Sequence, residues 1–118
     1  LSPNETLEKL VDLISHSNQV IFAVVGEDKK MLGVVHFNDI REIIFNSYRV
    51  KYTLIKDIMV NPIDIIYPTD SMETVMNKFE KTKVHFLPVI KNGAYFGFIS
   101  KSIALEAYRT KLKSMTIE

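Results

Sequence analysis

The chain holds 118 residues, 47% hydrophobic and 25% charged, the ordinary balance of a globular domain long enough to bury a core. Fifteen Lys and Arg against fourteen Asp and Glu leave a net charge of +1, so no field of one sign points to nucleic acid or a lipid surface. The absence of Cys excludes disulfide scaffolds, thiol catalysis and Cys-based zinc sites.

In chain order, the first element is a helix, predicted where Leu7, Leu10, Val11 and Ile14 recur at i, i+3, i+4 and i+7. Pro3 precedes it, and Asn4 or Thr6 can accept from the free amides of its first turn. The apolar run from Val20 to Val25 is too short for a membrane span and reads as a buried strand. A polar turn at residues 26–30 leads to a second strand at residues 31–35, and a second helix is expected over residues 38–45. Residues 46–61 form a connector containing Lys56-Asp57-Ile58-Met59, and residues 63–66 supply a short strand.

From there the order starts again. A shift of about 65 residues places Ser2-Pro3-Asn4-Glu5-Thr6-Leu7-Glu8 over Tyr67-Pro68-Thr69-Asp70-Ser71-Met72-Glu73, class for class. Met72, Val75, Met76 and Phe79 repeat the helical stripe, with Asp70 or Ser71 as its cap, and the two Met belong to packing. His85 to Ile90 and Tyr95 to Ile99 repeat the hairpin across Lys91-Asn92-Gly93, a turn one residue shorter, so that Gly33 falls over Gly97. A last helix is expected over residues 102–112. The predicted fold class is therefore mixed α/β (α+β), two β-α-β-β-α units packed sheet to sheet about a pseudo-two-fold axis with clefts between them. Residues 1–50 form the first repeat, its first strand cut short, and residues 51–118 the second, connector included.

No Gly-Lys-Ser/Thr phosphate loop, GxGxxG fingerprint or spaced nucleophile and base is present, so an enzyme is not expected. His16, His36 and His85 show no ligand spacing on one helix face, so no metal site is expected either. The lysines are scattered among acids, which reads as a solvated surface.

Ile55-Lys56-Asp57-Ile58-Met59 with Pro62, the strand Leu87-Pro88-Val89-Ile90, and Gly33-Val34-Val35-His36-Phe37-Asn38-Asp39-Ile40 resemble the cystathionine β-synthase-type (CBS) repeat. Two in tandem resemble a Bateman module, and the likeness covers nearly the whole chain. The opening Leu1-Ser2-Pro3-Asn4-Glu5-Thr6-Leu7, Phe79-Glu80-Lys81-Thr82, and Gly97 to Ser102 with Tyr108-Arg109 further resemble the CBS tails of bacterial ClC-type chloride channels and transporters. The resemblance implies a regulatory domain that binds an adenine nucleotide (AMP, ADP or ATP), forms a homodimer, and works on the cytoplasmic side of an integral membrane parent.

It also implies that each cleft joins the strands of one repeat to a Ser/Thr-x-x-Asp segment of the other, whose Asp accepts both ribose hydroxyls. The first copy reads His36-Phe37-Asn38-Asp39, with the Asp but not the hydroxyl, and the second reads Ser100-Lys101-Ser102-Ile103, with the hydroxyl but not the Asp. The favoured nucleotide cleft is accordingly His36, Asn38 and Asp39 with Ile66, Val84, His85 and Phe86. The other would join Leu1, Gln19 and Val20 to Ser100 and Ile103, where ribose hydroxyls meet an apolar side chain.

Each assignment has a purely structural counterpart. Asp39 can be the N-cap of the second helix, and Ser100 and Ser102 can be capping or turn residues. His36 and His85 can be half-buried strand residues satisfied by backbone, while Ile103 reads as core and His16 as solvated. The rival to a nucleotide sensor is a dimerisation scaffold that senses nothing. The dimer is expected through Ile40, Ile43, Ile44 and Phe45 with Ala104, Ala107, Tyr108 and Leu112.

Overall fold

The computed structural model describes residues 1–115, and the chain divides into two compact units, Leu1–Asn61 and Pro62–Glu118. Residues 116–118 of the expected second repeat lie outside the described residues. Each unit is mixed α/β around one two-stranded antiparallel sheet, the fold class read from the sequence.

In the first unit, α1 (Leu7–Ser15) leads to the hairpin β1 (Ile21–Val25) and β2 (Met31–His36). These pair with Ala23 opposite Val34 and Val24 opposite Gly33. Leu7 and Leu10 from α1 bury against Phe22, Val24 and Val35 of the sheet, together with Ile40 and Ile55. Each such side chain contributes roughly 1.5–3 kcal/mol by leaving water, which is why the apolar stripe fixes the face that α1 presents. Thr6 occupies the N-cap position without a side-chain cap bond, so the capping expected from Asn4 or Thr6 is not made.

The helix expected over residues 38–45 is broken into α2 (Phe37–Ile40) and a 3-10 turn at Ile43–Phe45. Successive β-branched Ile43 and Ile44 are indifferent helix formers, and both pack on the core. The connector is not a bare link. It holds α3 (Ser47–Tyr52), capped by Asn46 Oδ1 accepting from Arg49 N at 3.1 Å, and α4 (Ile55–Ile58), whose Ile55 is fully buried in the first core. Val60 then pairs with Val34 on the outer edge of β2. Residues 51–61, grouped on sequence with the second repeat, thus pack within the first unit.

In the second unit, α5 (Met72–Thr82) precedes the hairpin β3 (Phe86–Lys91) and β4 (Ala94–Ser100), which runs into α6 (Lys101–Met115). The hairpin turns on Asn92 and Gly93, at φ of 52° and 80°, the two positive angles that a two-residue type I′ turn requires. Val75 and Phe79 of α5 bury with Ile66, Leu87 and Ala104. Ser71 caps α5 as expected, its side chain accepting from Thr74 N at 3.1 Å. The short strand expected at residues 63–66 is reduced to one parallel bridge between Ile66 and Val89.

The repeat is visible bond for bond. Leu1 N donates to Ala23 O at 3.1 Å and Val25 N to Leu1 O at 2.8 Å; 65 residues on, Ile66 N donates to Pro88 O at 2.9 Å and Ile90 N to Ile66 O at 3.0 Å. Ser2 N donates to Glu5 Oε1 at 2.6 Å, and Tyr67 N to Asp70 Oδ2 at 2.9 Å. Past the shorter turn the offset drops to 64, so that Phe37 N to Val20 O, 2.9 Å, matches Lys101 N to His85 O, 2.8 Å.

Candidate functional site

The first unit holds a cavity of about 300 Å³, lined by Ile14, Ser17, Asn18, Gln19, Val20 and Phe37. It lies where α1 stops at Ser15 and the chain crosses to β1. Ser15, His16, Ser17 and Asn18 explain the stop, because Ser and Asn compete with the helix for its own backbone groups. Gln19 N donates to Ser17 Oγ at 3.0 Å and Gln19 Nε2 to Ile21 O at 2.6 Å, which fixes the crossing. The bond from Phe37 N to Val20 O closes the far side. Apolar walls with a few polar groups, at the small end of ligand-pocket volumes, suit one planar ring system. In the second unit α5 continues to Thr82, the equivalent of Ser17, so the helix runs two residues further there before the chain crosses to β3.

Beside the cavity, β2 ends at His36 and α2 begins at Phe37. His36 is therefore the N-cap, half-buried and making no cap bond with its ring, while Asn38 and Asp39 are exposed within the first turn. This corrects the capping alternative for Asp39: the helix starts earlier than that role requires, and among the described residues its carboxylate has no hydrogen-bond or ion-pair partner.

The remaining assigned residues lie in the second unit. Ile66 is a core residue, 4% exposed, with its amide and carbonyl both engaged by β3. Val84 packs beside that core. His85 sits one residue ahead of β3 and is exposed, not half-buried, and Phe86 opens the strand with 36% of its surface exposed. Ser100 is the cap foreseen for the last helix, its Oγ accepting from Ile103 N at 3.1 Å. Ile103 is 68% exposed, which corrects its reading as core: on α6 it is Ala104 that turns inward. His16 is exposed as expected, with Nδ1 2.8 Å from Asp12 O.

The structure thus groups His36, Asn38 and Asp39 in one unit and Val84, His85 and Phe86 in the other. Gln19 and Val20, assigned on sequence to the less favoured cleft, line the cavity. Ile14, Ser17, Asn18 and Phe37 were not foreseen; the one signal was the run of poor helix formers after Ile14. Among the described residues no group of three or more His, Cys, Asp or Glu could hold a metal ion, and no helix is long and apolar enough to cross a membrane.

The CBS domain family model matches residues 1–46 and 55–110. CBSX2 in complex with AMP superposes with a TM-score of 0.76 at 18% identity, over 93% of this chain and 86% of that one. The CBS domain of the bacterial CNNM/CorC family Mg²⁺ transporter in complex with ATP gives 0.75 at 19% identity, over 89% and 74%. A homoserine O-acetyltransferase of Methanococcus vannielii is 26% identical over 98 residues, 82% of this chain but 20% of the relative, so the chain spans about a fifth of that protein.

Proposed function

Because the chain belongs to the CBS domain family and carries that domain twice, we propose that it is a regulatory module that senses an adenine nucleotide and biases an attached protein. The observation that supports this reading is Asp39, an exposed carboxylate with no partner among the described residues, in the segment where the CBS resemblance implies the ribose-holding acid. A carboxylate accepts from two adjacent hydroxyls at once, and one without a protein partner gives up only its bound water in doing so. AMP and ATP in the two structural relatives support the choice of ligand. His36 and Asn38 stand beside Asp39 in the first unit and are the further contacts proposed there. The finer parentage we propose, a ClC-type chloride-conducting membrane domain, rests on sequence resemblance alone, whereas the matched curated relative is an acetyltransferase.

Calorimetry with AMP, ADP and ATP, each with and without Mg²⁺, tests the reading. One strong site per chain is expected, weakened at least tenfold in Asp39→Ala, since an unmatched pair of buried hydroxyls costs roughly 1–3 kcal/mol. Melting without ligand should be unchanged in that variant because Asp39 caps nothing. Two equal sites, or full affinity in folded Asp39→Ala, would refute it.

A second reading, a dimerisation scaffold without a ligand, is favoured by one observation: Phe45 is 88% exposed beside Tyr48 at 72% and Tyr52 at 61%. No thermal shift with any adenine nucleotide would leave this reading standing, because ligand at 100 times its Kd should add about 2.7 kcal/mol.

A further inference from the structure

The two hairpins differ at one edge. In the first unit, Val60 N donates to Val34 O at 2.9 Å and Val34 N to Val60 O at 2.8 Å, adding a rung outside β2. Gly33 admits that segment, since a Cβ there would lie 2.9 Å from Val60 O and 3.1 Å from Met59 Sδ. The repeat places Phe98 at the position of Val34 and Gly97 at that of Gly33, and the pairing agrees: Phe98 opposes Pro88 as Val34 opposes Ala23. Both Ala23 O and Pro88 O face away from their hairpins, toward Leu1 N and Ile66 N. In an antiparallel pair the opposing residue then turns its own amide and carbonyl outward on the other side. Val34 fills that side with Val60. Among the described residues nothing fills it for Phe98, and beside Gly97, at φ +149°, a Cβ would meet nothing within 4 Å.

We propose that the outer edge of β4 at Phe98 binds an extended polypeptide segment by strand addition, and that its occupant has the chemistry of Ile58-Met59-Val60. The choice of occupant comes from the molecule itself, which closes the equivalent edge with that segment in a two-bond pairing. An apolar residue with a free amide therefore pairs with Phe98, and the residue before it lies over Gly97. The Phe98 and Tyr95 rings meet edge to face, with centroids 5.5 Å apart; main-chain bonds supply the pairing in this mode of recognition. An open edge of this kind is a template for another strand.

The test is amide hydrogen exchange on the full chain, with a blocked synthetic peptide of the sequence of residues 54–62. Without peptide, the Phe98 amide should exchange at least about tenfold faster than that of Val34. Millimolar peptide should slow Phe98 by about tenfold or more, and a peptide N-methylated at the Val equivalent to Val60 should leave it fast. Phe98 already as protected as Val34, no slowing by the peptide, or equal slowing by the methylated one would each overturn the proposal. Protection that rises with protein concentration alone would overturn it in favour of a second copy.

Discussion

Asp70 shows what a carboxylate does here when it has partners. Its Oδ2 accepts from Tyr67 N and lies 2.9 Å from Lys78 Nζ, which also donates to Ile65 O at 2.6 Å. Partial burial pushes the carboxyl upward, but the Tyr67 amide and then Lys78 outweigh it and hold it below the usual value of 3.8. A depressed carboxyl stabilises the fold above its unfolded pKa, and the contribution is lost as pH falls through the folded one. Asp70→Asn should therefore lower stability by about 1–2 kcal/mol at pH 7. In urea titrations the gap from the parent protein should close as the pH falls below 3.8; a gap of constant size would mean that the charge is not what matters. Asp39 could be picked out from sequence by its place in a Ser/Thr-x-x-Asp-like segment. Its lack of a partner could not, because that depends on where β2 hands over to α2, a boundary set by the bond from Phe37 N to Val20 O.

At the scale of elements, legibility followed length. The stripes of α1 and α5 and the Asn92-Gly93 turn could be read because periodicity and turn chemistry are local. The four-residue α2 and α4 and the six-residue α3 are too short for a period to show; tertiary burial of Ile40 and Ile55 holds α2 and α4, and the Asn46 cap starts α3. The same limit explains Ile103, whose facing depends on where α6 starts. Ser100 sets that start, so Ser100→Ala should cost about 1 kcal/mol in thermal or urea unfolding while leaving nucleotide affinity unchanged. Unchanged stability would mean that the cap contributes nothing.

For the whole molecule, the dimer foreseen from the apolar stripes must be redrawn. Ile40 and Ala104 are each 1% exposed and serve the cores of their own units, and Ile43 and Ile44 pack beside the first. On α6 Ala107 and Leu112 are exposed and Tyr108 is half-buried. In the first unit Phe45 remains outside, followed along the chain by exposed Tyr48 and Tyr52, whose rings meet tilted at 47° with centroids 4.8 Å apart. We predict a homodimer that uses this aromatic group: Phe45→Glu should give the mass of a monomer in light scattering at high micromolar concentration with unchanged melting of the monomer. A parent that is itself monomeric under those conditions would contradict it.

Val60 has a further consequence. The family's second domain begins at residue 55, yet residues 55–60 are built into the first unit by Ile55 and by the pair with Val34. Duplication and folding are thus out of phase along this chain. A gene fragment cut at the inherited border delivers a protein that lacks its last strand rung and a buried isoleucine, while its sister fragment carries six residues bred for someone else's core. The border at which the first unit is complete lies after residue 61, not before residue 55.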